Sequence, residues 1–132
     1  MNCLLDTHAF LWVVFAPEQL SRKARAAISD PANEICLSSV SLWEISLKFG
    51  LGKLTLEHCT PESLVAVAGE MGLTLITADA DESASFHRLP RVPHRDPFDR
   101  MLVWQAIQRQ LVLITKDSML PAYQAAGLKL LW

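Results

Sequence analysis

No apolar run in this chain is long enough to cross a membrane. The longest unbroken one spans Ala9 to Ala16, whereas a spanning helix needs about 20 such residues. No basic segment precedes it and Asp6 interrupts its start, so a secretion signal is not expected. Paired cysteines are also lacking. Cys3, Cys36 and Cys59 are odd in number and far apart, with no CxxC and no Cys/His zinc spacing. That excludes a disulfide framework, and it predicts buried thiols in a reducing, cytoplasmic compartment. Nor is there a surplus of positive charge. Twelve Lys and Arg stand against fourteen Asp and Glu, for a net charge of −2, which excludes a basic coat that binds any nucleic acid. Linkers, internal repeats and low-complexity stretches are absent.

What is present is a core. The 132 residues are 51% hydrophobic, with a mean hydropathy of +0.22, and this predicts one domain over residues 1–132. Short apolar runs at Asn2–Asp6, Glu34–Ser38, Leu73–Thr77, Leu111–Thr115 and Leu128–Trp132 read as strands. Helical stretches lie between them. "THAFLWVVF" ends near Pro17, and "SRKARAAISD" opens on a capping serine. "SVSLWEISLKFG" is expected to stop at Gly50. "TPESLVAVAGEMG" is expected to start at Pro61 and end at Gly72. "DADESASFHRL", "PFDRMLVWQAIQRQ" and an interrupted "SMLPAYQAAG" complete the set. The strands are continuously apolar rather than alternating, so both their faces are covered. The expected fold is an α/β three-layer sandwich around a mostly parallel five-stranded sheet.

In such sheets functional groups gather at the carboxyl ends of the strands. Four acids fall there. Asp6 ends the first strand, Glu44 lies in the helix after the second, Asp99 opens the helix into the fourth, and Asp117 follows the fourth. Each alone has a structural use: Asp6 and Asp117 as caps, Glu44 as an i+4 partner of Lys48, Asp99 at the positive end of its helix. Asp99, however, starts an apolar stripe with Leu102 and Val103, and Glu44 is surrounded by Leu42, Trp43, Ile45 and Leu47. Carboxylates beside core-facing stripes need partners. Converging, they repel one another, and a divalent cation with oxygen preference removes the conflict. Mg²⁺ or Mn²⁺ held this way suits hydrolysis of a phosphodiester. Thr7, Ser39, Thr115 and Ser118 sit beside the acids in sequence. The first three are expected to orient them; Ser118 is expected to cap a helix. Asp96 precedes Pro97 and reads as the helix cap, leaving Asp99 as the ligand candidate. Arg95, Arg100 and Lys116 are candidate contacts to the phosphates of such a substrate. His8 and His94 read as orienting or packing groups, since hard cations prefer oxygen. The apolar surplus in Phe10–Phe15 and Leu42–Phe49 suggests a partner face.

The segments "LLDTHAFLW", "SSVSLWEISLKFGLGKL", "HRDPFDRMLVWQA" and "LITKD" together resemble the PIN-domain nucleases, and most closely the VapC-like toxins of type II toxin–antitoxin systems. The resemblance spans nearly the whole chain in one order. It implies a PIN fold, endoribonuclease activity dependent on Mg²⁺ or Mn²⁺, a homodimer and a cognate antitoxin. The family's acidic quartet falls on Asp6, Glu44, Asp99 and Asp117. Asp96 belongs to the DPFD subgroup motif. Trp104 and Pro121 depart mildly from the family's pattern. An RNA-processing nuclease outside any toxin–antitoxin pair, and a non-catalytic RNA- or protein-binding module on the same fold, are the alternatives.

Overall fold

The computed structural model describes residues 1–132. Its elements are β1 (Asn2–Leu5), α1 (Thr7–Phe15), α2 (Arg22–Ser29), β2 (Glu34–Ser38), α3 (Ser39–Gly50), α4 (Ser63–Glu70), β3 (Thr74–Ile76), α5 (Ala80–Ser85), α6 (Pro97–Arg109), β4 (Val112–Ile114) and β5 (Lys129–Leu131). Short 3-10 turns lie between some of them, the longest at Leu120–Ala126.

The five strands form one sheet in the order β3-β2-β1-β4-β5. All four pairings are parallel, so the sheet is wholly rather than mostly parallel. Period-two alternation divides the strand residues between two cores. Cys3, Leu5, Ile35, Leu37 and Ile114 face α1, α2 and α4, against Phe10, Ala24, Leu64 and Ala68. Leu4, Cys36 and Leu113 face the other way, against Leu102, Val103 and Ala106 of α6 and Tyr123 of the last 3-10 turn. Helices on both faces bury most of β1, β2 and β4, which is why those strands carry continuous apolar runs, while β3 at the sheet edge stays largely exposed.

One helix end differs from the sequence expectation. The first turn before α4 is closed by bonds of the i to i+3 type, Ser63 N–H to the Thr60 carbonyl and Leu64 N–H to the Pro61 carbonyl, both 3.1 Å. The α-helix proper therefore begins at Ser63, after Pro61 rather than at it. α3 ends at Gly50, as expected, and the chain turns at Gly52, whose φ of +73° suits glycine.

The strand order fixes where a site can form. Chain connections leave β1 toward β2 on one side, while β4 joins β1 from the other. That reversal opens a crevice beyond the carboxyl ends of β1 and β4. Asp6 follows β1 directly and Asp117 follows β4 by three residues.

Candidate active site at the carboxyl edge of the sheet

Leu5 of β1 stands opposite Ile114 of β4, so the residues just beyond them, Asp6 and Thr115, meet. The Thr115 hydroxyl donates to Asp6 Oδ2, and the Ala9 N–H donates to Oδ1 at 2.6 Å, making Asp6 the cap of α1. Asp6 is only 7% exposed. Burial pushes its carboxyl above the ordinary range, against the pull of those hydrogen bonds. Thr115 Oγ1 also accepts from the Asp117 N–H at 3.0 Å, so one hydroxyl steadies both acids.

Asp117 Oδ1 accepts from the Met119 N–H at 2.8 Å, a local turn bond of the kind aspartate favours. Its Oδ2 faces His94 Nε2 at 3.0 Å. The same nitrogen lies 3.3 Å from Asp99 Oδ2. Asp99 stands in the first turn of α6, and Asp96 caps that helix by accepting from the N–H groups of Phe98 (2.9 Å) and Asp99 (3.4 Å). The Asp99 carboxyl is pushed up to about 7, by burial first and then by the charges of Asp96, Glu44 and Asp6; His94 opposes them. One ligand atom each from His94, Asp99 and Asp117 lies within 4.8 Å of the others. Asp6, Asp99 and Asp117 line a single cavity of about 340 Å³ with His8, Trp12 and Lys116.

Glu44 stands at the margin. It is 2% exposed, with Oε1 accepting from the Thr7 hydroxyl at 2.6 Å and Oε2 from the Lys48 ammonium. It lines a neighbouring cavity of about 170 Å³ with Lys48 and Lys53, and His8 borders both cavities. Ser41, which the sequence reading passed over, lies 3.0 Å from the Thr7 hydroxyl inside this group.

Of the hydroxyls expected to serve the acids, Thr7 and Thr115 reach them. Ser39 does not, and this corrects the sequence reading. It is the first residue of α3, accepts from the Ala78 N–H at 3.4 Å, and lines a separate apolar cavity with Val40, Trp43 and Phe98. Its neighbour Ser38 caps α3 and donates to Gln105 Oε1 at 2.6 Å. Lys116 overlies the Trp12 ring at the mouth of the acid cavity. Arg95 and Arg100 line an adjoining cavity of about 480 Å³ with Arg91 and His94. Arg100 is held there by Tyr123 Oη at 3.2 Å and by the carbonyls of Leu89 and Pro90.

A buried acid away from this edge, Glu82, was missed. Arg109 grips it with two donors at 2.7 Å, and Gln105 adds a third at 3.4 Å. The D-x-x-E spacing of a capping box, Asp79 to Glu82, was its signal in the sequence.

Comparison with known proteins agrees with this architecture. A family profile described as "PIN domain" matches residues 3–126. Among curated proteins, ribonuclease VapC22 of Mycobacterium tuberculosis is 28% identical over 121 residues, covering 92% of this chain and 91% of that protein. Among solved structures, VapBC2 from Rickettsia felis, bound to a DNA fragment from its promoter, superposes with a TM-score of 0.67 at 16% identity over 100% of this chain and 99% of that one. DNA-bound VapBC from Salmonella typhimurium gives 0.65 at 19% identity, over 99% and 97%. At these identities the two structures speak to the fold alone.

Proposed function

Because this chain belongs to the PIN-domain family, we propose that it is a divalent-cation-dependent endoribonuclease, the toxin of a toxin–antitoxin pair. One observation carries the reading. Asp6, Asp99 and Asp117, from three separate parts of the chain, share one small cavity, and the Asp99 carboxyl is driven to about 7 by its burial and its acidic neighbours. The donor set fits a hard cation: carboxylate oxygens backed by hydroxyls, with no thiolate. Asp6, Asp99 and Asp117 would hold Mg²⁺ or Mn²⁺, with Glu44 alongside. Bound there, the ion supplies charge neutralisation, polarisation of a phosphate oxygen and a more acidic water.

The chain's own residues do the rest. Thr115 and the Ala9 N–H fix both oxygens of Asp6, and Thr7 with Lys48 fixes both oxygens of Glu44. This rigidity holds the acids in place before substrate arrives. In hydrolysis, water oxygen bonds to phosphorus, one ester P–O bond breaks, and the water's proton passes by way of a carboxylate oxygen facing the cavity to the leaving oxygen, which departs as an alcohol. Lys116 at the cavity mouth, and Arg95 and Arg100 beside it, are placed to meet RNA phosphates.

The partner reading rests on α3. Trp43 is 64% exposed and packs edge-on against Phe98 at 5.1 Å. It walls an apolar cavity of about 430 Å³, and Leu47 and Leu51 are exposed on the same helix and its cap. We assign this surface to an antitoxin, since the VapBC relatives belong to a family of toxin–antitoxin systems. Phe10, by contrast, is fully buried in the core and offers no partner face.

The test is cleavage of total RNA by purified protein. Wild type with Mg²⁺ or Mn²⁺ is expected to cut at defined sites, chelator to stop it, and folded Asp99→Asn to lose at least about 100-fold in rate, as expected for loss of an electrostatic contributor. Full activity in Asp99→Asn would contradict the assignment.

A further inference from the structure

His94 contacts two of the acids yet belongs to neither of their elements. It lies in the loop before α6, with its side chain only 9% exposed. Its Nδ1 accepts from the Asp96 backbone N–H at 3.3 Å. A ring nitrogen that accepts carries no hydrogen, so the neutral imidazole bears its proton on Nε2. Nε2 is the atom that faces Asp117 Oδ2 at 3.0 Å and Asp99 Oδ2 at 3.3 Å.

We propose that His94 is a positioning residue: its Nε2–H is a clamp that holds Asp99 and Asp117 at the spacing a divalent cation requires, and it is not itself a ligand. This rests on the reading that the acid cluster holds such an ion. Distance alone would group His94 with the two aspartates as a third donor atom. The backbone N–H at Nδ1 argues against that. To coordinate, Nε2 would have to give up its proton, and the neutral ring would then carry it on Nδ1, facing another donor. As a hydrogen-bond donor, His94 meets no such conflict.

The clamp has a distinct job. Asp99 hangs from the first turn of α6 and Asp117 from the turn after β4. The Asp99 carboxylate accepts no hydrogen bond; His94 Nε2 lies 3.3 Å from its Oδ2, whereas the His94–Asp117 contact has hydrogen-bond geometry. Two carboxylates left to themselves would swing apart. An N–H bonded to Asp117 and within 3.3 Å of Asp99 Oδ2 draws the two acids together from the side away from the acid cavity: His94 lines the arginine cavity, whereas Asp99 and Asp117 line the other. The start of the loop is also tied independently of His94, because Arg100 donates to the Leu89 and Pro90 carbonyls.

The experiment has two arms. In the unmutated, metal-free protein at alkaline pH, nitrogen NMR of His94 is expected to find the proton on Nε2; a proton on Nδ1 would overturn the proposal. In the second arm Mn²⁺ is titrated into wild type, His94→Leu and His94→Gln, each checked for folding by circular dichroism. Leu is expected to weaken Mn²⁺ binding about 10-fold or more, as loss of a partner behind a metal ligand does. Gln, whose amide can donate from nearly the same place, is expected to recover most of it. Equal binding by wild type and Leu, no recovery with Gln, or an imidazole nitrogen bonded to Mn²⁺ in pulsed EPR of wild type would each overturn the clamp. Wild type that takes up no Mn²⁺ would sink the nuclease reading and the clamp with it. Normal wild-type uptake that is indifferent to His94 would sink the clamp alone.

Discussion

Asp99 and Glu82 are both acids on helices that flank the sheet, and their surroundings drive them in opposite directions. Burial raises both. At Glu82, hydrogen bonds from Arg109, the Asp79 N–H and Gln105 outweigh it and leave the carboxyl below its usual range. At Asp99 the next contributions are negative charges, and the carboxyl rises to about 7. Glu82 is thus satisfied by the fold, whereas Asp99 is left wanting a cation. A pH dependence follows. Between the ordinary value of 3.8 and about 7, folded Asp99 keeps a proton that the unfolded chain has released. Raising pH through that window therefore removes stability, by at most about 4 kcal/mol. Asp6, also raised, adds in the same direction. In chelator, the urea midpoint is expected to fall as pH rises from about 4 to about 7. Asp99→Asn is expected to flatten that fall, and an unchanged slope would contradict the electrostatic account.

At the scale of elements, the start of α6 shows how one short segment both starts a helix and lines the acid cavity. Asp96 caps, Pro97 takes the first helical position, and Asp99 projects into the acid cavity. The spacing D-P-x-D made this division legible without coordinates, because cap and first-turn positions differ in what their side chains can reach. Asp96→Ala is expected to cost about 1 kcal/mol in denaturant unfolding, and Asp96→Asn only a few tenths, since asparagine caps nearly as well. Asp96→Asn also removes the charge that ranks next after burial in raising Asp99, so RNA cleavage is expected to survive in it. Complete loss of cleavage in folded Asp96→Asn would place Asp96 among the ligands. Ser39 shows where such reading stops. Adjacent residues at a strand-to-helix junction point in different directions, so its place beside Ser38 in the sequence did not tell which of them would face inward. The start of α4 was missed for a similar local reason. Pro61 fits the first turn of a 3-10 helix as well as that of an α-helix, and the bonds from Ser63 and Leu64 show that it takes the tighter one.

For the whole molecule, the alternation of helices with continuously apolar strands was enough to give a parallel sheet covered on both faces. The strand order was not legible, because it depends on which runs pair across long separations. For that reason the sequence could collect four acids at one edge but not divide them between cavities. Asp6 meets Asp99 and Asp117 because β1 and β4 are neighbours, while Glu44 follows β2 on the other side of β1 and looks into the next hollow. The His94 bridge was equally hidden. Its contact with Asp117 crosses 23 residues and requires the loop before α6 to fold back over the end of β4.

All of this depends on acids drawn together by the fold whose mutual repulsion an ion relieves. The most direct measurement is the thermal midpoint at alkaline pH with increasing Mn²⁺, in wild type and in Asp99→Asn. Binding to the folded state alone raises the wild-type midpoint, by about 2.7 kcal/mol of added stability at 100 times the dissociation constant, and leaves Asp99→Asn nearly unmoved. A wild-type midpoint indifferent to Mn²⁺ and Mg²⁺, or an equal rise in both proteins, would contradict it.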